Sequence, residues 1–262
     1  MRHKEEAGGG GEGYPVNVDV QGVVDAQGAF SPGIFAQSTG GADNGGIGSN
    51  EQIKVTVGSP TNSAASVRGG SSGFDAAAAI YFANGGDAFS NQLLNYGTIA
   101  THDTKTGTAV FANGAAFVGN NWGNITGNIH IAHGNITNQG SGTINPYASI
   151  SLGGGTLVNK GKMDLSGETD VTTLDGSYSG AGKLVFDADF TGGTSDRLVV
   201  TGDALVGDTL TVNAKSIHNR SLKLLSASGK LTLDPAMTTV DSSHLYDFKA
   251  TASGNDLSVT PV

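Results

Sequence analysis

The residues best placed to do chemistry lie in GGTSDRLVVTGDALVGDTLTV, residues 192–212, and just before it. Ser195 stands in a Gly-Gly-Thr-Ser turn, the composition of a protease nucleophile turn, and the three aspartates Asp196, Asp203 and Asp208 are expected at exposed turns, where Asp favours bending. Asp196-Arg197-Leu198 then begins a strand where a nucleophile would open a helix, and no His and Asp follow in a recognisable order. Asp187 and Asp189 are two apart on a strand and share a face, roughly 6–7 Å apart. That separation suits an inverting glycosidase pair, but outward positions of an acidic protein are often acidic, and that plainer reading is preferred. His130 and His133 face opposite sides of a strand, so they cannot chelate together, and zinc needs three or four ligands. GGSSGFDAA (69–77) is one residue too long for the calcium nonapeptide, and ANGGDAF (83–89) and GGADNGG (40–46) are partial matches without the strict period that shared ions require. No catalytic residue, cofactor site or metal site is therefore expected. Tyr96 and Trp122 fall at equivalent repeat positions, where they either stack on sugars or a partner or pack as ordinary corner residues. The packing role is the preferred reading.

Charge narrows the function further. The formal net charge is -9, and only Lys54, Arg68 and Lys105 are basic between positions 5 and 159. A phosphate backbone needs clustered Lys and Arg, so nucleic acid is excluded as a partner. No run of about 18 apolar residues exists to form a membrane helix. There is no cysteine, which rules out thiol catalysis, disulfides and cysteine metal sites. Its absence fits the cytosol, or a secreted chain that crosses an oxidising compartment unfolded. Residues 1–13, charged and then Gly-rich, lack the apolar core of a signal peptide and read as a flexible leader.

The elements that must position these residues are strands. One helix candidate, FDAAAAIYFANGG (74–86), is too short to stand alone. Elsewhere the period is two: Leu184, Phe186, Ala188 and Phe190 point one way, and Leu198 with Val200, Leu210 with Val212, Leu222 with Leu224 and Leu231 with Leu233 form further inward pairs. An imperfect repeat of apolar–x–Asn–x–Gly–x–apolar runs through Asn95/Gly97, Asn121/Gly123, Asn138/Gly140 and Asn159/Gly161. A repeat of about 20 residues with Asn-Gly corners suits a parallel β-helix, because coils stack at about 4.8 Å and bring like corners together. Asn can then hydrogen-bond its own turn and its stacked neighbour, while Gly supplies a positive φ. Eleven or so coils over residues 14–235 would make a rod roughly 50 Å long. At the far end Tyr246, Phe248 and Ala250 alternate, Leu257 and Val259 answer them, and Gly254-Asn255 supplies a hairpin turn. Such a hairpin would cover an edge that otherwise invites aggregation.

Two segments resemble a known family. GTSDRLVVTGDALVGDTLTV, then LKLLSASGKLTL and the closing YDFKATASGNDLSVTPV, are similar to the C-terminal end of type V autotransporter passenger domains, with Asp196, Arg197, Leu198, Val200, Gly202, Leu210 and Val212 on the family's motif. GIFAQSTGGADNGGIG (33–48) followed by IKVTVG looks like the Gly-rich repeat of very large passengers, matched at Ile34, Ala36, Gln37, Ser38, Gly40 and Gly41. The likeness covers 180–262 well and 30–175 more loosely. It implies an all-β fold, a right-handed parallel β-helix (solenoid) closed by a C-terminal antiparallel β cap. It divides the chain into a leader (1–13), Gly/Asn-rich coils (14–175), and final coils with an autochaperone-like cap (176–262). It also implies export across the outer membrane to the bacterial surface, and adhesion to a host-cell protein or glycan or to itself. The family's membrane β-barrel and signal peptide are not in this sequence, so the chain reads as a passenger fragment. A β-helical glycan lyase or hydrolase and an inert spacer are the alternatives.

Overall fold

The computed structural model of the chain describes residues 14–39, 51–71, 75–84, 90–167, 171–241 and 245–262. The leader 1–13, Gly40 and Gly41, the 40–46 calcium-like match, and parts of the two others (72–74 and 85–89) lie outside them.

The described chain is all-β, built from parallel strands in stacked sheets. Successive strands fall onto three ladders in turn. The first starts at Val16–Val20 and passes through Ile53–Val57, Asn91–Asn95, Phe117–Asn121 and Gly134–Asn138, ending at Ala204–Val206 and Leu231–Leu233. The second runs from Val23–Asp25 to Thr238–Asp241 by way of Thr98–Thr101, Lys162–Asp164 and Lys183–Asp189. The third runs from Ile34–Gln37 through Ile80–Asn84, Thr108–Gly114 and Asn128–Ile131 to Arg197–Val200 and Leu222–Ala227. Two long strands, Ser149–Asn159 and Val171–Gly180, each serve the third ladder and then the first. They turn between ladders at Gly153 and Gly154 (φ +57 and +83) and at Gly176 (φ +147), conformations that glycine adopts without strain. The stacking of parallel strands in successive levels is consistent with a solenoid. The second ladder holds nine strands in succession, or roughly 40 Å of stacking. The expected eleven coils are too many because several coils carry corner insertions.

Alternation explains the core. On the second ladder Val67, Ile99, Ile125, Ile144, Met163, Leu184 and Leu210 occupy one register and are all at most 1% exposed. Each such side chain contributes roughly 1.5–3 kcal/mol by leaving water. Phe186, Ala188, Phe190, Leu198, Val200, Val212 and Leu224 are buried as the period of two requires, while Leu231 and Leu233 are only half-buried.

The one helix candidate forms no α-helix in its described residues, as its shortness predicts. Asp75–Ala77 makes one 3-10 turn and Ile80–Asn84 is a strand paired with Thr108–Gly114. The run is too short to nucleate a helix. Ile80 and Phe82 gain complete burial on a sheet, and Ala77–Ala79 are buried, with the Ala77 carbonyl so close to Gly69 that a β-carbon there would meet it at 2.4 Å.

At the far end Phe248–Ser253 and Asp256–Pro261 form an antiparallel hairpin, and Asp256–Pro261 pairs antiparallel with Leu222–Ala227. Gly254 has φ +57 at the first turn position, as a two-residue turn of this hand requires. Leu257 and Val259 are fully buried, and Phe248 stacks on Phe190 at 5.5 Å. Tyr246 is a correction: it precedes the strand and is 45% exposed.

Candidate functional site

The repeat corners form one continuous structure. Asn95, Asn121, Asn138 and Asn159 share a register on the first ladder and are at most 1% exposed. Each Nδ2 donates to the Oδ1 of the next: Asn95 to Asn121 at 2.7 Å, Asn121 to Asn138 and Asn138 to Asn159 at 2.8 Å. The second proton of each amide goes to a main-chain carbonyl of the next coil, those of Asn124, Thr143, Lys162 and Lys183. The first Oδ1 of the row accepts the Gly97 N–H at 3.1 Å. Every amide of the row is thereby satisfied, as a buried polar group must be.

The row ends on a group that sequence reasoning missed. Asn159 donates to Asp208 Oδ1 at 2.8 Å, the Tyr178 hydroxyl donates to Asp208 Oδ2 at 3.0 Å, and the Gly182 N–H donates to Oδ1 at 3.1 Å. Asp208 fills the place where the next Asn would stand. That place is Gly180, whose β-carbon would lie 1.6 Å from Asp208 Oδ2. Burial pushes the Asp208 carboxyl up, and the donors from Tyr178, Asn159 and Gly182 offset part of that rise. The Tyr178 hydroxyl is pushed well up by burial and by the neighbouring Asp208.

The corner glycines need two corrections. Gly97, Gly123, Gly142, Gly161 and Gly182 form the spatial column, in which the next residue's N–H bonds the glycine carbonyl one coil back. Gly140 is not in it. Its coil carries two extra residues after Asn138, so Gly142 takes the place, and a β-carbon on Gly140 would meet nothing. Nor is positive φ the reason, since none of the five adopts it. A β-carbon on Gly97, Gly123, Gly142 or Gly161 would instead lie 2.1–2.3 Å from a carbonyl oxygen of the preceding coil. Glycine is required for close approach.

In the 192–212 stretch, Leu198, Val200, Leu210 and Val212 are fully buried. The three aspartates divide: Asp203 is exposed, whereas Asp196 and Asp208 are completely buried. An exposed turn was the wrong expectation for those two, because both carboxylates are spent on internal donors. Asp196 Oδ2 accepts the Asp187 N–H at 2.6 Å. Arg197 lies half-buried on the third ladder, and Gly202 packs against the Gly176 carbonyl and Ser177. The Ser195 hydroxyl donates to the Lys223 carbonyl at 2.9 Å. Asp187 pairs with Lys215 at 3.3 Å and accepts from Asn213. The Asp189 carboxyl is held below its ordinary value by the Gly192 N–H and the Ser216 hydroxyl. These carboxylates bind their own coils together.

A second cluster joins residues far apart in the chain. His130 Nδ1 lies 2.6 Å from Asp75 Oδ1, and His130 Nε2 lies 2.6 Å from Ser149 Oγ. Thr108 also donates to Asp75. Burial pushes the Asp75 carboxyl up, but the hydrogen bond and charge of His130, with Thr108, hold it below the ordinary value overall. The connectivity is that of an acyl-transfer triad. However, the N–H groups of Ala148 and Ser149 both donate to Asn128 Oδ1, so neither can hold an oxyanion beside Ser149. His133 is exposed and apart from the cluster. Among the described residues no group of three or more His, Asp or Glu side chains is placed to hold a metal ion.

Tyr96 and Trp122 stack on each other, centroids 4.7 Å apart and planes within 9°. On the outer face of the third ladder Phe35, Tyr81 and Phe111 stack likewise, at 5.0 and 4.7 Å.

The class defined by these observations is an all-β chain of parallel strands in stacked sheets with a buried asparagine row. Compared with known proteins, the chain matches no family model and no curated protein.

Proposed function

We propose that the chain is a structural stem and adhesive segment of a bacterial autotransporter passenger. In this reading it is a right-handed parallel β-helix closed by its C-terminal antiparallel cap, displayed at the cell surface beyond the outer membrane. It holds a host-cell protein or glycan, or another copy of itself, and catalyses nothing. The observation that supports this most is the joining of the motif segment to the terminal hairpin. Asp256–Pro261 pairs with Leu222–Ala227, which pairs with Arg197–Val200, and Phe248 stacks on Phe190. An autochaperone needs a C-terminal unit whose buried contacts offer a finished edge for the preceding coils to stack upon. The internal use of Ser195, Asp187 and Asp189, and the occupied N–H groups beside Ser149, favour a scaffold over an enzyme.

Two experiments test the reading. Removing residues 244–262 is expected to slow or abolish refolding of the remainder, followed by far-UV circular dichroism after dilution from urea. Unchanged refolding rate and stability would refute the cap's role. The intact chain is expected to bind host cells or matrix proteins on a panel, and failure to bind any of them would reduce it to a spacer.

A further inference from the structure

A groove on the outer face of the first ladder has a slot in its aromatic column. The residue following the corner occupies one register through successive coils, fixed by its N–H bonding the coil before: Gly58 to Val20, Tyr96 to Val57, Trp122 to Asn95. Gln21 stands at the same corner one coil above Gly58 and donates to the Gly58 carbonyl at 3.4 Å. The column therefore reads Gln21, Gly58, Tyr96, Trp122. Trp122 covers one face of Tyr96. The other face looks toward the level where Gly58 has no side chain. Any side chain there is strained: Gly58 has φ +71 and its β-carbon would lie 2.4 Å from the Asn62 carbonyl. The gap is one coil thick, about 4.8 Å. It opens into a hollow of about 420 Å³ lined by Tyr96, Pro60, Asn17, Asp19, Lys54 and Thr56, within the usual range for small-ligand sites.

We propose that this groove binds a neutral pyranose ring of a glycan, stacked on the free face of Tyr96 in the place Gly58 leaves open. This deepens the adhesive reading above and rests on it for the class of partner. The lining argues for a sugar over a wholly apolar ligand, because amide, carboxylate, ammonium and hydroxyl groups stand beside the aromatic face while Val18, Leu94 and Pro60 add apolar surface for the ring's C–H faces. Asp19, whose Oδ1 accepts from Gln21 at 2.6 Å, keeps Oδ2 to accept from ring hydroxyls, and Lys54, which has no ion pair among the described residues, can donate to them. A carboxylate beside the ammonium, on a chain of net charge -9, favours neutral over acidic sugars.

The test is calorimetric and NMR titration of the purified chain with lactose, maltotriose, mannotriose, chitotriose and, as acidic probes, trigalacturonate and sialyllactose. At least one neutral probe is expected to bind, with Tyr96→Ala and Lys54→Met each weakening it about tenfold or more. Thr56→Trp, which fills the hollow from an outward position, is expected to abolish binding with the circular dichroism spectrum unchanged. The proposal is overturned if no neutral probe binds at millimolar concentration, if only acidic probes bind, or if folded Tyr96→Ala and Thr56→Trp bind as wild type does. The host-cell and matrix panel, run on the same proteins, separates the two readings. Adhesion that survives both substitutions leaves the chain an adhesin and removes this groove. A wild-type chain that binds a sugar but no cell or matrix component keeps the groove and removes the broader adhesive role.

Discussion

Single residues decide how the corners hold. Asn138 accepts from one neighbour and donates to the next and to the Lys162 carbonyl, so Asn138→Ala strands several buried groups at once. A loss of about 2–3 kcal/mol is expected in urea unfolding, against at most ~0.5 kcal/mol for Asn124→Ala, whose side chain is exposed. Asp208 adds a pH dependence. Its carboxyl is raised, chiefly by burial, so the fold favours the neutral form. Stability from this group is highest below the ordinary aspartate value of about 3.9 and declines as pH rises through the raised value. Asp208→Asn should cost less than ~1 kcal/mol and remove that decline, whereas Asp208→Ala, leaving Tyr178 and Gly182 donors unmet, should cost about 3 kcal/mol. Unfolding midpoints across pH 3 to 8 would show both. Asp75 acts in the opposite sense. With its carboxyl held down, the support it gives through His130 is present above the ordinary aspartate value and lost as pH falls through the lowered one.

Elements show where sequence patterns suffice and where they stop. Strand faces were legible because burial alternates with period two, and Leu198, Val200, Leu210 and Val212 lie where that period puts them. The asparagine row was legible because one residue type recurred near one spacing. Gly140 was misleading because a pattern in the chain counts residues, while the stack counts levels, and two inserted residues moved the level to Gly142. The Asp208 terminus was invisible for the same reason: it lies 49 residues from Asn159, and nothing local marks Gly180 as its socket. The Asp75–His130–Ser149 cluster spans separations of 55 and 19 residues, and the period alone brings it together. The glycine column makes a direct comparison possible. Gly142→Ala is expected to lose about 1–3 kcal/mol, since its β-carbon would meet the Asn121 carbonyl at 2.3 Å. Gly140→Ala should stay within ~0.5 kcal/mol. Thermal unfolding of the two variants side by side would reveal any error in assigning the column.

Among the described residues, three ladders share one core and the hairpin pairs with Leu222–Ala227, the last strand of the third ladder. Stability in such a stack is a sum of coil terms and nearest-neighbour terms, so the corner row links neighbours that apolar contacts alone would join less specifically. The row also has a direction. Its amides all donate the same way, from Asn95 toward Asp208, so their dipoles add and their positive ends aim at the carboxylate, much as a helix N-terminus faces an anion. Asp208 therefore senses amides several coils away. Cutting the row at Asn121, which touches neither Asp208 nor Tyr178, should raise the Asp208 carboxyl further, and the carboxyl carbon resonance of that one aspartate becomes a gauge of whether distant coils are in place.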